Sequence, residues 1–195
     1  MPPDSTPDTP PAVGPREDAA PSTAERRLFV LRHADAVSHG SGMSDQYRPL
    51  SARGQGTLAE LRSRIAERGS SIRVVRCSAA VRAAATLEGV RAALPAEVDI
   101  EVSNDLYLAG GDILLDRCRE LADDVAGTLL IGHNPGVAAL VHELAAQDTP
   151  VVRQALAGGF PPGTLAELVV PVPWRELDWA SCRLTSLRRP GRLPT

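Results

Sequence analysis

Two histidines follow apolar runs. In Leu28-Phe29-Val30-Leu31-Arg32-His33-Ala34-Asp35, four apolar residues end on a cation and an imidazole side by side. About a hundred residues later, Leu129-Leu130-Ile131-Gly132-His133-Asn134-Pro135-Gly136 again runs apolar and again ends on histidine. Short runs of this kind read as buried strands. The ends of such strands are where α/β sheets bind ligands. A third segment, Ser78-Ala79-Ala80-Val81-Arg82-Ala83-Ala84-Ala85-Thr86, puts Arg82 in the first turns of a helix that follows another apolar run. Arg48 lies in the loop after the first run. Guanidinium forks, imidazoles and a helix N-terminus together suit a tetrahedral dianion, because the forks and free amide N–H groups match phosphate oxygens. An imidazole among them is a candidate nucleophile for phosphorus, working through a covalent phosphohistidine.

The elements that must position these residues alternate along the chain. Strands are predicted at residues 28–31, 72–77, 98–102, 127–132 and 164–171, with a last one near 179–187. Between them, helices are predicted at 52–68 with Ser51 as N-cap, at 79–94, and at 113–122 capped by Asp112. Another follows His133, with Asn134 as N-cap and Pro135 at its first position. Gly54 and Gly56 are poor helix formers, and they point to a close backbone approach or a frayed start. Strand–helix alternation of this kind predicts a three-layer α/β/α sandwich with a largely parallel central sheet.

Composition narrows the possibilities. The 195 residues suit one domain, and only 3% are aromatic, so the core must be mostly Leu, Val, Ile and Ala. Residues 1–25 hold seven prolines and five acids against the single Arg16. Such a segment is expected to be a disordered tail before a domain at 26–190. Residues 26–195 then carry 20 Arg against 19 acids, so no nucleic-acid footprint is expected. No lysine occurs anywhere, which makes any single arginine weaker evidence for phosphate than usual. Cys77, Cys118 and Cys182 are widely spaced and read as reduced structural thiols. No secretory signal or membrane-length apolar run is visible, so a cytoplasmic, monomeric protein is expected. The four histidines lack metal-ligand spacing, and neither metal nor cofactor is expected.

The ordered set of segments resembles the histidine phosphatase superfamily (phosphoglycerate mutase-like), whose members carry a strand-borne Arg-His-Gly, a Ser-x-x-x-Arg-Ala-x-x-Thr segment and a Gly-His. Here these are Arg32-His33-Ala34, residues 78–86, and Gly132-His133. The short loops and Arg48-Pro49-Leu50-Ser51 most resemble the small bacterial phosphohistidine phosphatases. The resemblance covers roughly residues 27–171 and implies a phosphoglycerate mutase-like fold. It implies His33 as nucleophile, with Arg32, Arg82 and His133 forming the phosphate pocket and Arg48 as a further contact. Ala34 replaces the usual glycine, which is tolerable at negative φ. Asp105 is the positional candidate for a general acid and Asp35 the local one, although a phosphohistidine phosphatase needs little acid help.

The implied substrate is phosphohistidine in a protein, or a small phosphorylated metabolite. A phosphoglycerate-mutase-type transferase and a non-catalytic phosphoprotein-binding module are the alternatives. About twenty residues separate Asp105 from the fourth strand, leaving little room for a lid that would exclude water. His142 is expected at the surface, His39 in a solvated loop, and Trp174 and Trp179 as core anchors.

Overall fold

The computed structural model describes residues 25–38, 40, 42–145 and 150–191. The expected N-terminal tail and His39 lie outside the described residues. Six strands form one sheet: β1 (Arg26–Arg32), β2 (Val74–Ser78), β3 (Asp99–Ser103), β4 (Gly127–Gly132), β5 (Leu165–Val170) and β6 (Arg183–Arg188). Their order is β3-β2-β4-β1-β5-β6. The first four are mutually parallel; at one side β5 pairs antiparallel with β1, and β6 antiparallel with β5.

A strand covered on both faces alternates which layer it feeds, so an unbroken apolar run serves both. Leu28 and Val30 of β1 join one core with Leu130, Leu168 and Trp174, while Phe29 and Leu31 join the other with Leu129 and Ile131. Helices α1 (Ala52–Ala66) and α2 (Val81–Val90) contribute Leu61, Ile65, Leu87 and Val90 to the second core. Helices α3 (Gly111–Arg119) and α4 (Gly136–Leu144) contribute Leu114, Leu115, Leu140 and Leu144 to the first. The expected α/β/α sandwich is the fold observed. A fifth helix, α5 (Pro150–Ala157), was not legible beforehand.

Ser51 caps α1 as expected, its hydroxyl accepting from the Gly54 amide at 3.0 Å. The same hydroxyl donates to Asp35 Oδ2, and the Ser51 amide donates to the Asp35 carbonyl. This brings the start of α1 against the loop that follows β1. A Cβ at Gly54 would stand 2.0 Å from the Asp35 carbonyl oxygen, which decides for close approach over fraying. Gly54→Ala is therefore expected to cost about 1–3 kcal/mol, the scale of core overpacking. Denaturant unfolding measures it, and an unchanged midpoint would show that α1 can shift freely.

Four local expectations are corrected. Asp112 does not cap α3: it sits in the first turn behind Gly110, with no side-chain cap. Asn134 does not cap α4, because its amide donates instead to the Phe160 carbonyl at 3.0 Å and Pro135 takes the cap position. Trp179 is 37% exposed rather than a core anchor, whereas Trp174 is fully buried with its indole N–H on the Val125 carbonyl. Helix α2 also ends at Val90, short of the expected 94, and a 3-10 turn follows it.

Candidate active site

Parallel pairing brings the two histidines together. Arg32 lies in register with Gly132, and the His33 amide donates to the Gly132 carbonyl at 3.1 Å. Residues that follow two adjacent parallel strands emerge at the same sheet edge. His33 and His133 accordingly place their ring centroids 4.9 Å apart. Ser78 ends β2 at that edge, and its hydroxyl is 2.7 Å from His133 Nε2.

The segment after β2 holds both histidine loops. Arg82 and Thr86 are one helical turn apart on α2 and share a face. Arg82 Nε donates to His33 Nε2 at 3.2 Å, and Thr86 Oγ1 accepts from the Ala34 amide at 2.9 Å. Ser78 and Thr86 thus explain the Ser…Arg…Thr spacing as a clamp on the two strand ends. Ala34 is fully buried and its φ is not positive, so its methyl is accommodated.

The His33 tautomer is set by its neighbours. Nδ1 lies 2.7 Å from the Ala34 carbonyl, which can only accept, so Nδ1 carries the proton and Nε2 is left with a lone pair. Burial lowers the His33 pKa to about 4; the Ala34 bond opposes the shift, and Arg82, Arg32 and Arg48 add to it. Burial likewise lowers His133 to about 3, helped by His33 and Arg82. Both rings are neutral at pH 7. Because the folded pKa lies below the unfolded value, these groups contribute stability that is complete above about pH 6.5. That stability is lost as pH falls from there toward the folded pKa. An NMR titration of the imidazole Cε1–H signals should show neither ring protonating at pH 6, where a free histidine would be mostly charged. A midpoint near 6.5 for either would refute this burial effect.

An open cavity of about 250 Å³ reaches the two rings, lined also by Arg32, Arg48, Arg82 and Asp35. Arg32 Nη1 is tied to the Phe160 carbonyl at 2.8 Å, while its buried Nε, His133 Nδ1 and Asn134 Oδ1 have no partner among the described residues. Such atoms at the edge of one cavity are groups that a polar ligand would satisfy. A roomier surface groove of about 750 Å³ beside Arg73 and Leu94 carries no histidine.

The structure brings Arg32, His33, Arg48, Arg82 and His133 to one cavity, with Asp35 at its wall. Asp105, the positional candidate for a general acid, is not brought there. It sits exposed in a 3-10 turn with its amide on Ser103 Oγ, and it does not line the cavity. Beside Asp35, the carboxylate that lines the cavity is Asp45, which is bonded to Arg82, Arg48 and the Tyr107 hydroxyl. Those bonds, Tyr107 first, hold its carboxyl far below the usual carboxylate range. Tyr107 stands edge-on to His133 at 5.5 Å. Asp45 and Tyr107 were missed because neither lies next to a strand end. The only signal was that Asp45 precedes Arg48 by one helical turn.

Among the described residues no group of three His, Cys, Asp or Glu side chains is placed to hold a metal ion, and no helix is long and apolar enough to cross a membrane. His142 is exposed, and the three cysteines are free and buried.

No family model matches the chain. The uncharacterized protein ML1117 of Mycobacterium leprae is 28% identical over 171 residues, covering 82% of this chain and 99% of its own length. Among solved structures, a SixA protein of Nakamurella multipartita, assigned as a phosphohistidine phosphatase, is 27% identical with a TM-score of 0.70. The match covers 85% of this chain and 96% of that one. A SixA protein of Agrobacterium tumefaciens with the same assignment is 25% identical with a TM-score of 0.72, over 85% and 98% of the two chains. The likeness runs over almost the full length of both structures: in sequence and fold the chain is similar to phosphohistidine phosphatases of the SixA type, as its resemblance to the histidine phosphatase superfamily implied.

Proposed function

We propose that this protein is a phosphatase that works through a phosphohistidine on His33 and removes phosphate from phosphohistidine in a protein. The observation that carries the reading is the state of His33. It is neutral, its Nδ1–H is spent on the Ala34 carbonyl, and its Nε2 lone pair lies against the guanidinium of a buried arginine. A phosphoryl group drawn to Arg82, Arg48 and Arg32 would stand in front of that lone pair. Nε2 attacks phosphorus, the P–N or P–O bond to the leaving group breaks, and water later attacks the phosphohistidine to release inorganic phosphate. His133, held by Ser78, donates from its unpartnered Nδ1 to the transferring oxygens, and the incoming dianion raises its proton affinity. A leaving imidazole can depart with its own proton, so no carboxylic acid is required at the position of Asp105.

The protein substrate is favoured by the rim. Tyr47, Val81 and Leu108 are exposed large apolar side chains, and each lies within two residues of a cavity residue or of Tyr107. Such a border suits a macromolecular surface more than a small, strongly hydrated ester. Three free, buried thiols, all raised to about 11 or 12 by burial, support a reducing cytoplasmic setting. The test is turnover of a phosphohistidine protein domain against a panel of sugar phosphates. Preference for sugar phosphates would move the assignment to metabolite phosphatase. The pocket neutralises phosphate with arginine and imidazole alone, so EDTA should leave the rate unchanged. Activity lost to chelation and restored by magnesium would refute that pocket.

A further inference from the structure

Each nitrogen of the Arg82 guanidinium is already occupied. Nε donates to His33 Nε2 at 3.2 Å, Nη1 to the Asp45 main-chain carbonyl at 2.6 Å, and Nη2 to Asp45 Oδ2 at 2.8 Å. Arg48 is held by the same residue: its Nε and Nη2 stand 2.8 and 2.7 Å from Asp45 Oδ1, while Nη1 donates to the Val37 carbonyl. The Tyr107 hydroxyl donates to Oδ2 at 2.8 Å. One carboxylate therefore collects donors from two guanidinium groups and a phenol at the wall of the cavity. Those are the donors that a phosphoryl dianion would seek, and the two anions repel each other at such range.

The turn that carries this carboxylate is lightly anchored. Residues Asp45–Tyr47 form a single 3-10 turn in which nothing is buried, and its further tie is an exposed bond from Gln46 to Asn104. Arg82, by contrast, is 2% exposed on a packed helix. When the two separate, the turn can move at little cost and the arginine cannot.

Taking Arg82 and Arg48 as the phosphate-binding groups of the reading above, we propose that the Asp45 carboxylate is an internal occupant of the phosphate subsite, which an incoming phosphoryl group must displace. Asp45 thereby sets affinity and selectivity. It keeps both arginines ordered in the empty site and lowers the affinity of every phosphoryl ligand by a common factor. Inorganic phosphate, with no other contacts, is then held weakly and leaves after hydrolysis. A substrate with a larger contact surface overcomes the same penalty.

Asp45→Asn tests this, since the amide keeps the size and an acceptor oxygen for the arginines while removing the charge. Calorimetric titration of the full-length protein with inorganic phosphate should show binding tightened by about tenfold or more. In steady-state assays KM and the product-inhibition constant should fall together. Asp45→Ala, with thermal melts of both variants, guards against a folding artefact in either one. Phosphate binding that is unchanged or weaker in the folded variants overturns the proposal and makes Asp45 a support for Arg82. The catalytic reading is scored separately on the parent protein. Tightened phosphate binding with no trapped phosphoenzyme in the parent would sink that reading and leave this one standing. A trapped phosphoenzyme with no tightening would do the reverse.

Discussion

His33→Ala should yield no covalent phosphoenzyme. His33 Nε2 is the one ring nitrogen in the site with a lone pair fixed by a main-chain partner on the opposite nitrogen, and it faces a buried arginine. Turnover should drop on the order of 10⁶-fold, the scale seen when the nucleophile of a covalent mechanism is removed. Rapid quench with labelled substrate, followed by acid and by alkali, reads the outcome. A phosphoramidate is lost in acid and survives alkali. Label retained by His33→Ala would mean that another group attacks. The fold should survive, because His33 lies at a strand end rather than between the two cores, and a thermal melt checks this.

The second large effect is expected at His133. Its ring stands 4.9 Å from that of His33, fixed through Ser78 on one nitrogen and unpartnered on the other. If it donates to the transferring oxygens, it serves the transition state of phosphoenzyme formation and that of hydrolysis equally. His133→Ala should therefore slow both half-reactions by about a hundredfold, on the order of 3 kcal/mol for one preorganised donor. Single-turnover measurements separate the two steps. A variant that forms the phosphoenzyme slowly but hydrolyses it at the normal rate would restrict His133 to the first step, and this account of it would fail.

The two effects differ in kind for a structural reason. Both histidines follow parallel strands, both are buried and both are neutral. They are distinguished by their partners. A carbonyl dictates which nitrogen of His33 bears the proton, whereas a hydroxyl, able to donate or accept, leaves His133 free to carry its proton on either side.

Much of this site was legible in the chain because its parts are tied to strand ends. An apolar run that stops abruptly marks where a buried strand leaves the sheet, and Arg32-His33, Ser78 and Gly132-His133 each sit at such a stop. The strand–helix alternation predicted parallel neighbours, which put those stops on one edge. Local chemistry also fixed the Ser51 cap, which acts on an amide three residues on, whereas the purpose of Gly54 was decided by the approach of Asp35 from the preceding loop.

Only the tertiary structure decided which carboxylate enters the pocket. Asp105 is close in sequence to the strand edge but turns outward, while Asp45 reaches the site across a loop to meet Arg82, 37 residues on, and Tyr107, 62 residues on. Pairings at such separation depend on how loops fold back over the sheet edge, and no periodicity encodes that path. Two of the expected helix caps failed for the same reason. Asp112 and Asn134 are good capping residues by type, but Asn134 found a stronger claim on its amide at the Phe160 carbonyl, which the fold supplies from elsewhere in the chain. The tautomer of His33 and the neutrality of both rings are likewise properties of burial and of partners. A sequence specifies that a histidine ends a strand, but the packing around it sets its protonation state.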